Sequence, residues 1–300
     1  METAQADSLK LLSLHTVHFI NICSKTSHDQ TRRNYYDHKK IGIIGCGNMG
    51  GAILYGALES GVIAKENVYV YDINPKMREK AAGWGVTVAA NDAEVCDKSE
   101  LILLAVKPQN AAEALAMCEK SLDGKALMSI VAGTSVEKLQ SMTDGTPRIL
   151  RIMPNTPAMV YEGAFALCSD NDLKEDELIA AKTLYETIGI VEMVPEHLIN
   201  AVCALSGGGP AYAAMFIEAL ADGGVKQGLP RATAYRLAAQ TCLGTSKMIL
   251  EKGLHPGQIK DMVTSPAGTT IEGCEKLETG GMRGAVMECI KAAADRGNNF

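Results

Sequence analysis

The sequence predicts an α/β fold: an N-terminal doubly wound parallel sheet over residues 41–195, followed by an all-helical half over residues 196–300. Short apolar runs alternate with helical segments in the first half, as a parallel sheet with crossover helices requires. The first run leads into a glycine-rich turn with the spacing of a dinucleotide-binding motif. After about Pro195 the apolar runs stop, and alanine-rich segments with helical spacing replace them.

Six short strands are predicted in the first half. They are mostly apolar, as is typical of strands that are buried on both faces of a sheet. A helix follows the first strand over residues 52–58, and Asn74-Pro75 begins another, since proline tolerates the first helical turn. The predicted strands are residues 41–44, 68–71, 86–88, 101–106, 126–131 and 148–152.

Three helices are predicted in the second half, over residues 210–225, 231–251 and 283–294. The second ends in Lys252-Gly253, because a basic last turn and a following glycine both favour a helix end. Alanines along these helices allow two helices to approach closely, which suits either a core or a subunit interface.

Composition excludes several classes of protein. A net charge of -6 over 300 residues argues against a nucleic-acid binder, which would need clustered Lys and Arg for phosphate contacts. The nine cysteines are odd in number and show no CxxC pair, so we expect reduced thiols and a cytoplasmic location. No apolar run approaches the ~20 residues that cross a bilayer, and the histidines form no metal-ligand spacing, so neither membrane nor metal binding is expected.

Residues 1–39 are more polar than the rest of the chain and carry four of its six histidines. We interpret them as a poorly ordered extension. A transit peptide is the alternative, but such peptides avoid acidic residues, and Glu2, Asp7, Asp29 and Asp37 are present.

The turn after the first strand reads Gly45-x-Gly47-x-x-Gly50. Glycines at this spacing let the backbone bend sharply and approach a pyrophosphate, whose charge is met by the amides that begin the next helix. The motif alone is weak, and a tight structural turn is the alternative. Its position between a strand and a helix, with Asp72 at the end of the second strand, favours a dinucleotide site.

Asp72 bears on the choice of dinucleotide. A carboxylate at this position accepts hydrogen bonds from the ribose hydroxyls of NADH and repels the 2'-phosphate of NADPH. Lys76 and Arg78 are close enough in sequence to weaken that repulsion. The sequence therefore leans towards NADH and leaves NADPH open.

Residues 261–272 form the most unusual segment of the second half. Successive amides around a Ser/Thr/Gly turn at a helix start bind anions, and the hydroxyls of Ser265, Thr269 and Thr270 add donors. A small carboxylate is the natural ligand of such a loop. The alternative is that Thr269 or Thr270 caps a helix and binds no ligand.

Five blocks of the sequence, in the same order, resemble the signature segments of the pyrroline-5-carboxylate reductases. The resemblance runs from Ile41 to about Arg296 and so covers everything except the extension. Five ordered blocks are far more specific than any single motif. They are residues 44–49 (IGCGNM), 105–108 (AVKP), 151–157 (RIMPNTP), 205–212 (LSGGGPAY) with 219–224 (ALADGG), and 255–272 (HPGQIKDMVTSPAGTTIE).

This resemblance implies an N-terminal Rossmann domain, a C-terminal dimerisation domain, and an active site completed between subunits of a homodimer or larger homo-oligomer. It implies reduction of 1-pyrroline-5-carboxylate to L-proline, the last step of proline synthesis, with NADPH or NADH. By position, the implied cofactor-binding residues are Ile44, Gly45, Cys46, Gly47, Asn48, Met49, Asp72, Asn91, Ala105, Val106, Lys107 and Pro108. The implied substrate-binding residues are Glu196, Ser265, Gly268, Thr269 and Thr270.

Two positions depart from the family pattern, both on the cofactor side. Many members have Ser or Thr where this chain has Asp72, and some have Asn where it has Met262. The resemblance to the family therefore does not imply that this chain prefers NADPH.

The reaction needs a hydride at the imine carbon and a proton at nitrogen. We expect the loop around Ser265 to bind the substrate carboxylate. The Thr270 hydroxyl, or a water held by it, is expected to supply the proton to the ring nitrogen. Glu196 is expected to hold the ring or to offset its positive charge.

Two rival functions remain in view. A dehydrogenase of the 3-hydroxyacid type shares the predicted architecture but reduces a carbonyl, and the Ser-Pro-Ala-Gly-Thr-Thr block argues against it. A non-catalytic dinucleotide sensor would not need a carboxylate-binding loop.

Overall fold

The computed structural model describes residues 39–298. The predicted extension over residues 1–39 therefore lies, except for Lys39, outside the described residues. The described chain contains one eight-stranded sheet. Its strands are β1 (Ile41–Ile44), β2 (Val68–Tyr71), β3 (Thr87–Val88), β4 (Leu101–Leu104), β5 (Ala126–Ser129), β6 (Arg148–Met153), β7 (Gly163–Cys168) and β8 (Gly189–Val194).

The sheet has the order β3-β2-β1-β4-β5-β6-β7-β8, and its first six strands are parallel. The chain order reverses between β1 and β4, because β1 pairs with β2 on one side and with β4 on the other. In sheets of this kind, ligands bind outside the carboxyl ends of the strands at the point of reversal. All six predicted strands are confirmed, although β4 and β5 end two residues earlier than predicted.

The strands β7 and β8 were not predicted, and they add an antiparallel pairing to the edge of the predicted parallel sheet. β7 runs antiparallel to β6, and β8 runs parallel to β7. Only the short 3₁₀ turn Thr156–Val160 joins β6 to β7, and so brief a connection permits an antiparallel neighbour but no crossover to a parallel one. β8 is the edge strand of the sheet, and its residues Ile190 and Glu192 are exposed.

Helices cover both faces of the sheet. The first begins at Asn48, four residues before the predicted start, because the glycine turn itself leads directly into the helix. The helices of this half are α1 (Asn48–Glu59), α2 (Pro75–Gly83), α3 (Asp92–Lys98), α4 (Pro108–Ala116), α5 (Val136–Met142) and α6 (Glu175–Glu186).

Two buried apolar clusters, one on each face of the sheet, hold this half together. The strands supply alternate side chains to the two clusters: Ile43 and Leu103 face one side, and Ile44 and Leu104 face the other. Each fully buried side chain of this size contributes about 1.5–3 kcal/mol relative to its exposed state. The sheet is thus a rigid base for any site at its edge.

The second half is helical throughout, as predicted. The three predicted helices are confirmed within three residues at each end, and two shorter helices lie between the second and the third. A π-helical segment, Cys203–Gly207, comes before the first long helix. The helices are α7 (Ile199–Val202), α8 (Gly209–Lys226), α9 (Arg231–Lys252), α10 (Pro256–Val263), α11 (Thr269–Thr279) and α12 (Met282–Gly297).

The helical half has very little core of its own. Its buried cluster consists of Ala221, Ala234 and Ala238, with Ile217 and Val225 packed beside it. Large apolar side chains elsewhere in this half are exposed, among them Leu205, Met215, Leu250, Met262, Val263 and Met287. Exposed apolar surface of this extent is typical of a protein–protein interface. None of the helices in residues 39–298 is both long enough and apolar enough to span a membrane.

Candidate active site

The glycine turn lies at the carboxyl edge of the sheet, between β1 and α1. Gly45 has a φ of +90°, and a Cβ there would lie 2.6 Å from the Ala105 carbonyl oxygen. A Cβ at Gly50 would overlap the Gly45 carbonyl oxygen. Both positions therefore require glycine, because any side chain would force the turn away from β4 or from α1.

The start of α1 has the properties of an anion site. Gly47 precedes the helix, no side chain caps it, and a Cβ at Gly47 would meet nothing within 4 Å. The first amides of a helix have no partner within the helix and carry the positive end of its dipole. These residues fit a dinucleotide pyrophosphate, which would take the place of the missing cap.

Asp72 is joined directly to the glycine turn. Its Oδ2 accepts a hydrogen bond from the Cys46 amide at 2.7 Å, and its Oδ1 accepts one from the Asn74 amide at 2.8 Å. Arg78 donates to the Asp72 carbonyl oxygen at 2.6 Å and lies over the Tyr71 ring. The carboxylate is thus held in one orientation at the end of β2, beside a cation.

Residues 105–108 complete this edge. The Ala105 amide donates to the Ile44 carbonyl at 2.8 Å, so the end of β4 is fixed against the glycine turn. Lys107 precedes α4 and is exposed, and Pro108 is the first residue of that helix. The structure therefore brings the predicted segments 44–49 and 105–108 together with Asp72.

Asn91 is engaged in the local structure of α3. Its Oδ1 accepts a hydrogen bond from the Glu94 amide at 2.9 Å, and Glu94 in turn accepts one from the Ala90 amide at 2.7 Å. The side-chain oxygen of Asn91 is thus a helix cap. Its predicted contact with the cofactor remains a prediction.

Asp92 is an acidic group near this edge that the sequence analysis missed. It is only 6% exposed. Burial, together with the smaller effect of the charges of Asp72 and Glu113, raises the pKa of its carboxyl group to about 6. Only its place next to Asn91 could have drawn attention to it in the sequence.

We expect Asp92→Asn to stabilise the protein at pH 8 and not at pH 4. The folded-state pKa of Asp92 lies above its unfolded value, so the wild-type protein loses stability as the pH rises from about 4 to 6. An amide removes that loss, worth on the order of 3 kcal/mol for a shift of about two pKa units. Urea unfolding at both pH values, with Asp97→Asn on the exposed face of α3 as control, measures it. An equal difference at the two pH values would contradict the assignment.

Glu196 lies at the junction of the two halves. Its Oε1 accepts hydrogen bonds from the Val136 amide at 2.8 Å and from Arg151 Nη1 at 3.0 Å. Its own amide donates to Asp170 Oδ2 at 2.8 Å. Within the described chain, no hydrogen bond joins Glu196 to the 265–270 loop. The sequence analysis missed the partners of Glu196, which are distant in sequence.

The 265–270 loop is compact and exposed. The Gly268 amide donates to the Ser265 carbonyl at 3.0 Å, and Ala267 has a φ of +57°. A Cβ at Gly268 would overlap Ser265 Oγ and lie 3.1 Å from the Ser265 carbonyl oxygen, so a side chain there would displace the Ser265 hydroxyl. Gly268 precedes α11, and no side chain caps the helix. Neither Thr269 nor Thr270 caps the helix, so the alternative prediction of a capping role is wrong.

The candidate site is therefore in two parts within one chain. The dinucleotide part lies at the carboxyl edge of the sheet, and the anion loop lies on the exposed helical half, whose apolar surface indicates a partner. Among residues 39–298, no group of His, Cys, Asp and Glu is arranged to hold a metal ion.

Comparison with protein families gives two matches. The model for pyrroline-5-carboxylate reductase dimerisation matches residues 196–300. The model for coenzyme F420-dependent NADP oxidoreductases matches residues 40–133. The two matches coincide with the helical half and with most of the sheet.

Curated relatives match nearly their whole length. The pyrroline-5-carboxylate reductase of Methanosarcina acetivorans is 40% identical over 87% of this chain and 97% of the relative. That of Escherichia coli K12 is 40% identical over 86% of this chain and 97% of the relative. Among solved structures, the Plasmodium falciparum pyrroline carboxylate reductase with NADP bound has a TM-score of 0.78 at 32% identity, covering 87% of this chain and 97% of that one.

Proposed function

The chain belongs to the pyrroline-5-carboxylate reductase family, and from that premise we propose which of its residues bind each reactant. It reduces 1-pyrroline-5-carboxylate to L-proline with NADH or NADPH, the final step of proline synthesis. The observation that carries this conclusion is 40% identity over 97% of a curated relative. The glycine turn joined to Asp72 supports it independently.

We assign the dinucleotide to the carboxyl edge of the sheet, where it supplies the hydride. The uncapped amides at the start of α1 bind the pyrophosphate, and the glycines leave room for it. The Asp72 carboxylate accepts hydrogen bonds from the ribose hydroxyls, since each of its oxygens keeps a free lone pair. The other proposed cofactor contacts are Ile44 to Met49, Asn91 and Ala105 to Pro108.

We assign the substrate carboxylate to the 265–270 loop. The amides at the start of α11 and the hydroxyls of Ser265, Thr269 and Thr270 supply the donors, and Gly268 lets the loop close. Thr270, directly or through a water, passes a proton from solvent to the ring nitrogen and keeps its own hydroxyl. Oε2 of Glu196, which accepts no hydrogen bond from residues 39–298, offsets the positive charge of the imine.

The chain self-associates through its dimerisation domain. We propose that the domain boundary lies between residues 195 and 196, where the family match begins, and that the assembly is a homodimer or a larger homo-oligomer. A partner would cover the exposed apolar surface of the helical half. The unpaired cysteines of residues 39–298 support a cytoplasmic location.

The activity is tested by following NADH and NADPH oxidation with 1-pyrroline-5-carboxylate. We expect substrate-dependent oxidation with both dinucleotides and L-proline as the product. Dinucleotide binding without turnover would favour the sensor. Reduction of NAD⁺ or NADP⁺ by a 3-hydroxyacid, without turnover of the imine, would favour the dehydrogenase.

We expect Asp72→Ser to raise the preference for NADPH over NADH about tenfold, measured as the ratio of kcat/KM values, because a repelling charge is removed. Asp72→Asn is the matched control, since its carbonyl oxygen still accepts the Cys46 amide without the charge. A shift in both variants identifies the charge as the cause. An unchanged ratio in both would contradict the assignment of Asp72 to the ribose.

A further inference from the structure

Two separate contacts fix the start of the helical half against the sheet. In the first, Glu196 binds Arg151 and the Val136 amide. In the second, Asn155, which follows β6, binds the carbonyl of Ser206 in the π-helical segment. Both contacts lie between the sheet and the residues that lead into α8.

The Asn155 side chain uses both ends of its amide. Oδ1 accepts a hydrogen bond from the Ala164 amide at the start of β7, at 2.8 Å. Nδ2 donates to the Ser206 carbonyl at 3.2 Å. Because the first bond fixes the plane of the amide, it also fixes the direction in which Nδ2 points. One side chain therefore joins β6, β7 and the π-helical segment.

The π-helical segment packs closely against the end of β6. Its Gly208 amide donates to the Cys203 carbonyl at 2.9 Å, which is the five-residue spacing of a π-helix. A Cβ at Gly207 would lie 2.7 Å from Met153 Cε, so the segment packs closely against the side chain at the end of β6. Single π turns of this kind occur frequently at functional sites.

The place of this contact connects it to the reaction. β6 ends at the same carboxyl edge of the sheet as β1 and β4, whose ends carry the proposed dinucleotide contacts. The π-helical segment leads directly into α8 and the helical half, which carries the proposed substrate loop. Hydride transfer needs the two reactants in close alignment, and an error of about 1 Å can cost a hundredfold in rate.

We propose that Asn155 is a positioning residue for the reduction: through Ser206 it sets how the helical half sits against the dinucleotide edge of the sheet. This inference rests on the proposed function. Asn155 needs no contact with either reactant for this role. Losing its bond to Ser206 displaces the helical half and lowers the rate of hydride transfer, while dinucleotide binding to the sheet is retained.

The test compares Asn155→Asp with Asn171→Asp in the full-length protein. Asn155→Asp keeps the acceptor for the Ala164 amide and replaces the donor to Ser206 with a repelling oxygen. Asn171 is the matched control, because its amide also accepts from a backbone amide and donates to backbone carbonyls, all within the first half: Leu173, Cys168 and Ser169. Wild-type turnover is measured alongside.

We expect Asn155→Asp to lower kcat about tenfold or more, with little change in KM for the dinucleotide. The primary isotope effect on kcat, with reduced dinucleotide deuterated at the transferring carbon, should rise as hydride transfer becomes rate-limiting. Asn171→Asp should change neither. Equal kcat values and isotope effects in the two variants would overturn the inference.

A second variant covers the case in which Asn155→Asp does not fold. Gly207→Val places a branched side chain against both Met153 Cε and Cys203 Sγ, more than a rotation of the Met153 side chain can relieve, and leaves Asn155 intact. It should show the same fall in kcat and rise in isotope effect, and wild-type behaviour would overturn the inference. An inactive wild-type protein would instead contradict the proposed function.

Discussion

Gly50→Ala should lower the affinity for NADH and NADPH at least about a hundredfold. The added methyl group would overlap the Gly45 carbonyl oxygen, and the Ala105 side chain also lies within 2.9 Å of it. The turn must open to relieve both contacts, which moves the amides at the start of α1 out of their common orientation. Titration of NADH fluorescence measures the affinity.

Gly83→Ala is the matched control, because a Cβ at that position meets nothing within 4 Å and Gly83 is the last residue of a helix. It should bind dinucleotide like the wild type. Gly47→Ala separates two causes: the protein has room for its methyl group, so lost affinity there reports contact with the ligand itself. Wild-type affinity in Gly50→Ala would show that the turn does not bind the pyrophosphate.

Thr270→Ala should lower kcat/KM for 1-pyrroline-5-carboxylate by about 10- to 100-fold, since a hydrogen bond to a charged group contributes about 1.5–3 kcal/mol. The hydroxyl is exposed, and it makes no hydrogen bond within residues 39–298, so its removal should leave the fold unchanged. Steady-state kinetics with saturating dinucleotide gives the value.

Thr270→Ser keeps the hydroxyl and should retain most of the activity. Thr279→Ala changes the same residue type at the other end of α11, where the hydroxyl binds the Glu275 carbonyl, and should behave like the wild type. If Thr270→Ala matches Thr279→Ala, neither the carboxylate nor the ring nitrogen depends on Thr270.

The dinucleotide edge was predictable because its signals are local. The Gly45 to Gly50 spacing, the strand before it and the acid at the end of β2 all lie within a short stretch of sequence. The bond between Asp72 and the Cys46 amide spans only 26 positions. Each strand of this part is also strongly apolar, and buried strands are the elements that composition identifies best.

The contacts at the junction were not predictable, since each joins residues far apart in sequence. Arg151 and Glu196 are 45 positions apart, and Asn155 and Ser206 are 51 apart. Such pairs leave no periodic signal in either segment. β7 and β8 were missed although both are mostly apolar. Only a short 3₁₀ turn separates β6 from β7, so the alternation of strand and helix that identified the other strands is interrupted there.

The thin core of the helical half makes folding a matter of protein concentration. The three buried alanines with their neighbours offset little of the conformational entropy of about a hundred residues, so we expect contact between chains to supply part of the free energy that holds these helices. For such a protein the folded state is a product of association, and the law of mass action applies to it. Dilution alone then favours the unfolded chain, so the melting temperature depends on the protein concentration at which it is measured.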